Sequence, residues 1–91
     1  MSILKGEKVI LRAFGERPVV RLVWRISDGM VLVTDEAGFV ALQAGMGADI
    51  IPIGFPLNDV FAYDGEAAAE ILNRYIEGSP IEWQKLSPIS I

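Results

Sequence analysis

Alternation of apolar and polar positions over residues 18–44 predicts an antiparallel meander. Apolar side chains recur at every second position in most of this stretch, which is the period of a strand with one buried face. Asp28-Gly29 interrupts the alternation and is a strong hairpin signal, because a type I′ turn needs positive φ at both central positions. Ala37-Gly38 predicts another turn one strand later. The stretch therefore predicts two hairpins in succession.

The register of the first hairpin predicts which side chains form the core. When the Asp-Gly dipeptide forms the loop, Trp24 lies opposite Val33. A second turn of even length keeps the following apolar positions on the same face, since the side-chain period is two. The predicted core face, seeded by Trp24, comprises Leu22, Trp24, Ile26, Val31, Val33, Val40 and Leu42.

Shorter signals outside the meander predict further strands and one helix. Residues 7–14 alternate in the same way, and two short apolar runs lie at 50–53 and 60–63. Asp64 is a favourable N-cap, and Gly78 suits the residue that ends a helix. The helix between them carries one apolar stripe, which consists of Ala68, Ile71, Leu72, Tyr75 and Ile76.

The segment that enters the last predicted strand carries a family resemblance. Its sequence, Gly-Phe-Pro-Leu-Asn-Asp-Val over residues 54–60, resembles the G-x-F/I-P-x-N-Y-V segment of SH3 domains, which forms a 3₁₀ turn before the final strand. The resemblance implies a five-stranded SH3-like barrel over residues 1–63. Together with the capped helix, assigned to residues 64–78, this predicts a mainly β protein with one C-terminal α-helix. An apolar tail follows at 79–91. An OB-like barrel has a similar strand content and is the alternative architecture.

The same resemblance bears on binding. It places Pro56 where the family lines its peptide groove, whereas Asp59 stands where the family has a groove tyrosine. The family's ALYDY stretch and tandem tryptophans are absent, which argues against binding of proline-rich motifs. The overall layout is also similar to that of small stand-alone bacterial proteins, including those carried on mobile gene cassettes.

Composition argues against most catalytic chemistry. The 91 residues include no histidine and no cysteine, so there is no side chain that ordinarily titrates near neutral pH and no thiolate nucleophile. The acidic residues do not follow the spacing of a calcium loop. We therefore predict no catalytic residue, no metal site and no cofactor, and we lean against an enzyme. The chain shows neither a signal-peptide layout nor a membrane span, which favours a cytoplasmic protein.

The apolar content instead favours a binding module that acts through protein–protein contact. Apolar residues make up 52% of the chain, which is more than a small interior readily buries. The candidate binding residues are Arg21, Arg25, Phe55, Pro56, Asp59 and Tyr63. The helix and tail suggest a homodimer, with an interface formed by Ile71, Leu72, Tyr75, Ile76 and Trp83.

Two other functions stay open at this stage. One is a small-molecule-binding protein or enzyme that uses the loop region 45–63, where glycines lie beside Phe55 and Tyr63. The other is nucleic-acid binding through a basic face formed by Lys8, Arg12, Arg21 and Arg25. The net charge of −4 opposes attraction to phosphate, so nucleic acid ranks below a protein partner.

Overall fold

The computed structural model describes residues 5–89 and contains one five-stranded antiparallel sheet and two α-helices. The strands are β1 (Lys8–Ala13), β2 (Arg17–Ser27), β3 (Met30–Thr34), β4 (Ile53–Pro56) and β5 (Val60–Ala62). The helices are α1 (Glu36–Gln43) and α2 (Gly65–Glu77), and 3₁₀ turns lie at Phe14–Glu16, Leu57–Asp59 and Trp83–Lys85. The strand order is β4-β3-β2-β1-β5, and the sheet is not closed by hydrogen bonds between β4 and β5 in the described part of the chain.

The first predicted hairpin is confirmed, but its register changes within β2. Asp28 and Gly29 have φ angles of 52° and 76°, as a type I′ turn requires. A bulge then interrupts the pairing of β2 with β3, so that Val33 lies opposite Val23 rather than Trp24. Because side chains alternate between the faces of a sheet, one extra residue exchanges the two faces beyond the bulge.

The bulge moves the core away from Trp24. Val23 is fully buried, whereas Trp24 is half-buried on the other face, where it contacts the ring of Phe39 edge to face at 5.8 Å. The prediction that Trp24 seeds the core is therefore wrong, although Ile26 and Val31, both on the predicted core face, do lie opposite each other. We call the buried set on this side of the sheet the inner cluster, which comprises Val9, Leu11, Val23, Val31, Val33 and Val60.

The second predicted hairpin is wrong, because the residues after β3 form α1. Asp35 is the N-cap of this helix, and its carboxylate accepts a hydrogen bond from the backbone N–H of Gly38 at 2.7 Å. A Cβ at Gly38 would lie 2.2 Å from Oγ1 of Thr34, so glycine here permits close packing rather than a turn. Val40 and Leu42 consequently belong to a helix and not to the core face of a strand.

Helix α2 has the predicted ends and covers the opposite, outer face of the sheet. The carboxylate of Asp64 accepts the N–H of Glu66 at 2.9 Å, and Gly78 ends the helix in the left-handed conformation. The buried side chains on this side form the outer cluster, which comprises Ile10, Phe61, Ala68, Ile71, Trp83 and Leu86.

The segment after α2 packs on its own chain. The ring of Trp83 stacks on that of Phe61 with 5.5 Å between centroids, and Pro88 forms an isolated β-bridge to Phe61. The backbone N–H of Ala62 donates to the carbonyl of Ser87 at 2.8 Å. In the predicted apolar tail, Trp83 and Leu86 belong to the outer cluster and Ile81 packs against it, whereas Ile89 packs against the inner cluster. Residues 90–91 lie outside the described residues.

Candidate functional site

An open cleft of about 550 Å³ lies on the inner face of the sheet, beside the N-terminal turn of α1. Leu11, Val19 and Val33 line it from three adjacent strands. The segment 50–55, which runs into and along edge strand β4, supplies further apolar lining from Ile50, Ile51, Ile53 and Phe55. The cleft therefore has an apolar interior continuous with the inner cluster.

Two isoleucines of the lining are strongly exposed. The side chain of Ile51 is 84% exposed and that of Ile53 is 64% exposed. Phe14, in the turn directly after the cleft residue Ala13, is also fully exposed. Large apolar side chains gathered around an apolar cleft are typical of a surface that binds a partner, because water solvates them poorly.

Arginine supplies the positive charge of the cleft. Arg17 and Arg21 both line it, and both are exposed on the inner face of β2. Arg21 lies opposite Val9, which belongs to the inner cluster, and its guanidinium donates to the carbonyl of Val20 at 2.8 Å. Among residues 5–89, neither arginine forms an ion pair. The lining thus presents two guanidinium groups that are available to a ligand.

The cleft contains one acidic side chain, that of Asp35. Its carboxylate is the N-cap of α1 and accepts the N–H of Gly38. This carboxylate forms no ion pair with either arginine within the described residues. The cleft consequently carries a net positive charge in a chain whose overall charge is −4.

Only two of the six predicted binding residues, Phe55 and Arg21, line this cleft. Pro56 ends β4 in an exposed position, and Arg25 lies opposite Leu32 on the outer face. Tyr63 is exposed near the end of β5, where the ammonium group of Lys8 lies 5.4 Å from its ring centroid. These three residues do not join the cleft.

The sixth predicted binding residue, Asp59, has a structural partner. Its carboxylate accepts a hydrogen bond from Nε of Arg12 at 2.8 Å, and the same guanidinium donates to the carbonyl of Asn58 at 3.0 Å. The guanidinium carbon also lies 5.7 and 5.6 Å from the ring centroids of Phe61 and Trp83. Asp59 therefore fixes the 3₁₀ turn to β1.

The proposed basic face is divided between the two sides of the sheet. Lys8 and Arg12 alternate with Ile10, so they lie on the outer face with the outer cluster. Arg21 lies on the inner face, whereas Arg25 returns to the outer face after the bulge. The four residues named in the sequence analysis do not form one continuous surface.

Two of the five residues of the predicted dimer interface are buried within the chain. Ile71 and Trp83 are buried in the outer cluster. The remaining three residues, Leu72, Tyr75 and Ile76, are exposed on α2, and we call them the α2 ridge. Of the five predicted interface residues, only the three of the ridge are accessible to a second copy.

A small charged cluster joins α2 to the following 3₁₀ turn. The carboxylate of Glu82 pairs with the ammonium group of Lys85 and lies 3.7 Å from the guanidinium of Arg74. Hydrogen bonding to Lys85, followed by the charges of Lys85 and Arg74, lowers the pKa of Glu82 below its usual value. Residues 5–89 contain no group of three or more carboxylate, imidazole or thiol side chains arranged to hold a metal.

Sequence reasoning missed Arg17 and did not name Ile50 or Ile51 individually, although both isoleucines lie in the loop region 45–63 that it suggested for a small molecule. The predicted glycine loop at 45–49 does not line the cleft, whereas Ile50 and Ile51 directly after it do. Three isoleucines within the four residues 50–53 were the available signal for this part of the lining, although Ile50 and Ile51 precede β4 rather than belong to it.

Comparison with known proteins gives no functional lead. No family model, no curated protein and no solved structure matches this chain. None of the helices in the described residues is long and apolar enough to cross a bilayer.

Proposed function

We propose that this chain is a non-enzymatic binding module that holds a segment of a partner protein in the inner-face cleft. The observation that carries the proposal is the exposure of Ile51 and Ile53 at the border of an apolar cleft. Exposed apolar side chains around a concave apolar surface gain free energy when a partner covers them, at about 25 cal/mol per Å² buried.

The architecture supports a rigid binding surface. The cleft residues of β1, β2 and β3 belong to three hydrogen-bonded strands, and two of them, Leu11 and Val33, are part of the inner cluster. A site on a sheet needs little reordering when a partner binds, which limits the entropic cost of association.

We also propose that the fold is SH3-like. The 3₁₀ turn at Leu57–Asp59 directly before β5 supports this assignment, as does the central hairpin at Asp28-Gly29. Asp59 and Pro56 lie outside the cleft, so the proposed binding mode differs from that of a proline-motif groove.

A small-molecule ligand is the second candidate, and the cleft volume favours it. About 550 Å³ falls within the range of ordinary ligand pockets, and residues 50–55 belong to the loop region that the sequence suggested. A thermal-shift screen against metabolites separates the two candidates. A reproducible rise with a metabolite, together with no protein partner, favours the small molecule.

A matched pair of substitutions tests the protein-binding function. Ile51→Asp places a charge at the cleft, and Ile76→Asp places the same charge on the α2 ridge. The two isoleucines are 84% and 79% exposed, so neither change disturbs a packed core. In pull-downs from the native host, we expect Ile51→Asp to lose the partners that wild type and Ile76→Asp retain. Loss with Ile76→Asp alone would contradict the proposed site.

A further inference from the structure

We propose that the partner segment is an apolar peptide that carries carboxylates, which pair with Arg17 and Arg21. This inference rests on the proposed function and names the chemistry of its partner. The lining combines apolar side chains with two exposed guanidinium groups, and a ligand that satisfies both must itself combine apolar and anionic groups. Guanidinium groups match the planar geometry of a carboxylate through two parallel hydrogen bonds.

The spacing of the two arginines suggests an extended ligand. Both lie on the inner face of β2 with Val19 between them, and their Cα atoms are about 13 Å apart at the usual rise of a strand. In a peptide that runs extended along β2, acidic residues four positions apart reach both arginines. The apolar residues between them then lie over Val19 and Leu11, which are neighbours across the β1–β2 pair.

The charge of the cleft favours an acidic rather than a basic ligand. Neither guanidinium has an ion-pair partner among residues 5–89, and the carboxylate of Asp35 is used as the N-cap of α1. A basic peptide would meet uncompensated like charges in the same cleft, which disfavours its binding. The expected preference is therefore for Asp and Glu over Lys and Arg at the positions that face β2.

The size of the charge effect follows from the exposure of the arginines. Ion pairs of exposed side chains contribute about 0.2–1 kcal/mol, which corresponds to about 1.4- to fivefold in affinity for each pair. Two pairs together give a change of about 2- to 25-fold, and the effect decreases as salt screens the charges. Apolar contact supplies the remaining affinity, so the inference concerns specificity more than strength.

The experiment uses a library of random linear peptides displayed on phage and selected against the full chain. In parallel, the library is selected against the double variant Arg17→Gln/Arg21→Gln. Arg25→Gln is the matched control, because Arg25 lies on the same strand but on the opposite face. We expect the wild type and Arg25→Gln to enrich peptides that combine apolar residues with Asp or Glu. The double variant should enrich apolar peptides without that acidic preference.

A titration of the selected peptide completes the test. Replacing its acidic residues with the corresponding amides should weaken binding to wild type by about 2- to 25-fold and leave binding to the double variant unchanged. Peptides enriched without acidic residues, with affinity lost on Ile51→Asp, would overturn this inference while the proposed function stands. If no selected peptide loses affinity on Ile51→Asp, the proposed function itself is overturned.

Discussion

Replacement of Trp83 by alanine should destabilise the protein far more than the same replacement at Trp24. Only 6% of Trp83 is exposed, and its indole stacks on Phe61 within the outer cluster. Trp24 is half-buried and contacts Phe39 only through a ring edge, with the ammonium group of Lys5 on the indole.

The expected magnitudes follow from these surroundings. Truncation of a buried tryptophan to alanine costs about 3–5 kcal/mol, because a large apolar contact is lost and a cavity remains. Truncation of the half-buried Trp24 to alanine should lower the free energy of unfolding by about 1–2 kcal/mol. Trp83→Phe retains the stacked ring and removes a buried indole N–H that has no acceptor among the described residues. Its cost should stay below about 2 kcal/mol, because loss of the unsatisfied donor offsets part of the lost volume.

Urea unfolding followed by far-UV circular dichroism measures these differences. Tryptophan fluorescence is unsuitable, since each substitution removes a chromophore. We expect the unfolding midpoints to fall in the order wild type, then Trp83→Phe and Trp24→Ala, with Trp83→Ala lowest. The total stability expected for a chain of this length is about 5–14 kcal/mol. If the wild type lies at the low end of that range, Trp83→Ala should already be unfolded without urea. Greater destabilisation by Trp24→Ala would refute the assignment of the two tryptophans.

Three further predictions concern packing, charge and self-association. Gly38→Ala should lower the free energy of unfolding by about 1–2 kcal/mol despite the helix propensity of alanine, because its Cβ would meet Thr34. A melting temperature at or above that of the wild type would contradict this. Glu82 has a lowered pKa in the folded protein, so its stabilising effect should be present above about pH 4.3 and be lost as the pH falls further. The urea midpoint of Lys85→Gln should therefore fall less steeply with decreasing pH than that of the wild type. Homodimer formation through the α2 ridge predicts a mass of two chains by light scattering at micromolar concentration and of one chain for Ile76→Asp, whereas one chain for wild type rejects the dimer.

Local signals in the sequence were sufficient where neighbouring residues determine the structure. The turn at Asp28-Gly29 needs positive φ at two adjacent residues, and that requirement is visible in two letters. Helix α2 has its N-cap and C-cap at Asp64 and Gly78, as predicted. Both features depend on contacts within a few residues, which is why periodicity and capping rules identify them.

The predictions from sequence were wrong where contacts with distant residues determine which of two locally reasonable structures forms. Val23 and Trp24 are both apolar, and the bulge that buries Val23 leaves Trp24 to pack against Phe39 of α1. No neighbouring residue marks that one-residue shift. Gly38 similarly suggested a turn, although its role is to allow contact with the Thr34 side chain at the start of a helix.

The prediction of the candidate site was incomplete for the same reasons. The predicted core face, which included Leu22 and Trp24, implied that Arg21 points away from the core, whereas the observed register places Arg21 on the inner face, in the cleft. Phe55 was named for its place in the loop region 45–63, and the structure positions it in the cleft on the edge strand β4. Arg17 and Ile51 had no motif, and only the folded sheet brings them together.

Methyl NMR of isoleucine-labelled protein, titrated with a selected peptide, tests the binding cleft most directly. Isoleucines report on both sides of the molecule, with Ile51 and Ile53 at the cleft and Ile71 and Ile76 on α2. We predict saturable shifts of the Ile51 and Ile53 methyl signals, with the α2 signals unchanged. Saturable shifts of Ile76 with no change at Ile51 and Ile53 would contradict the cleft as the binding site.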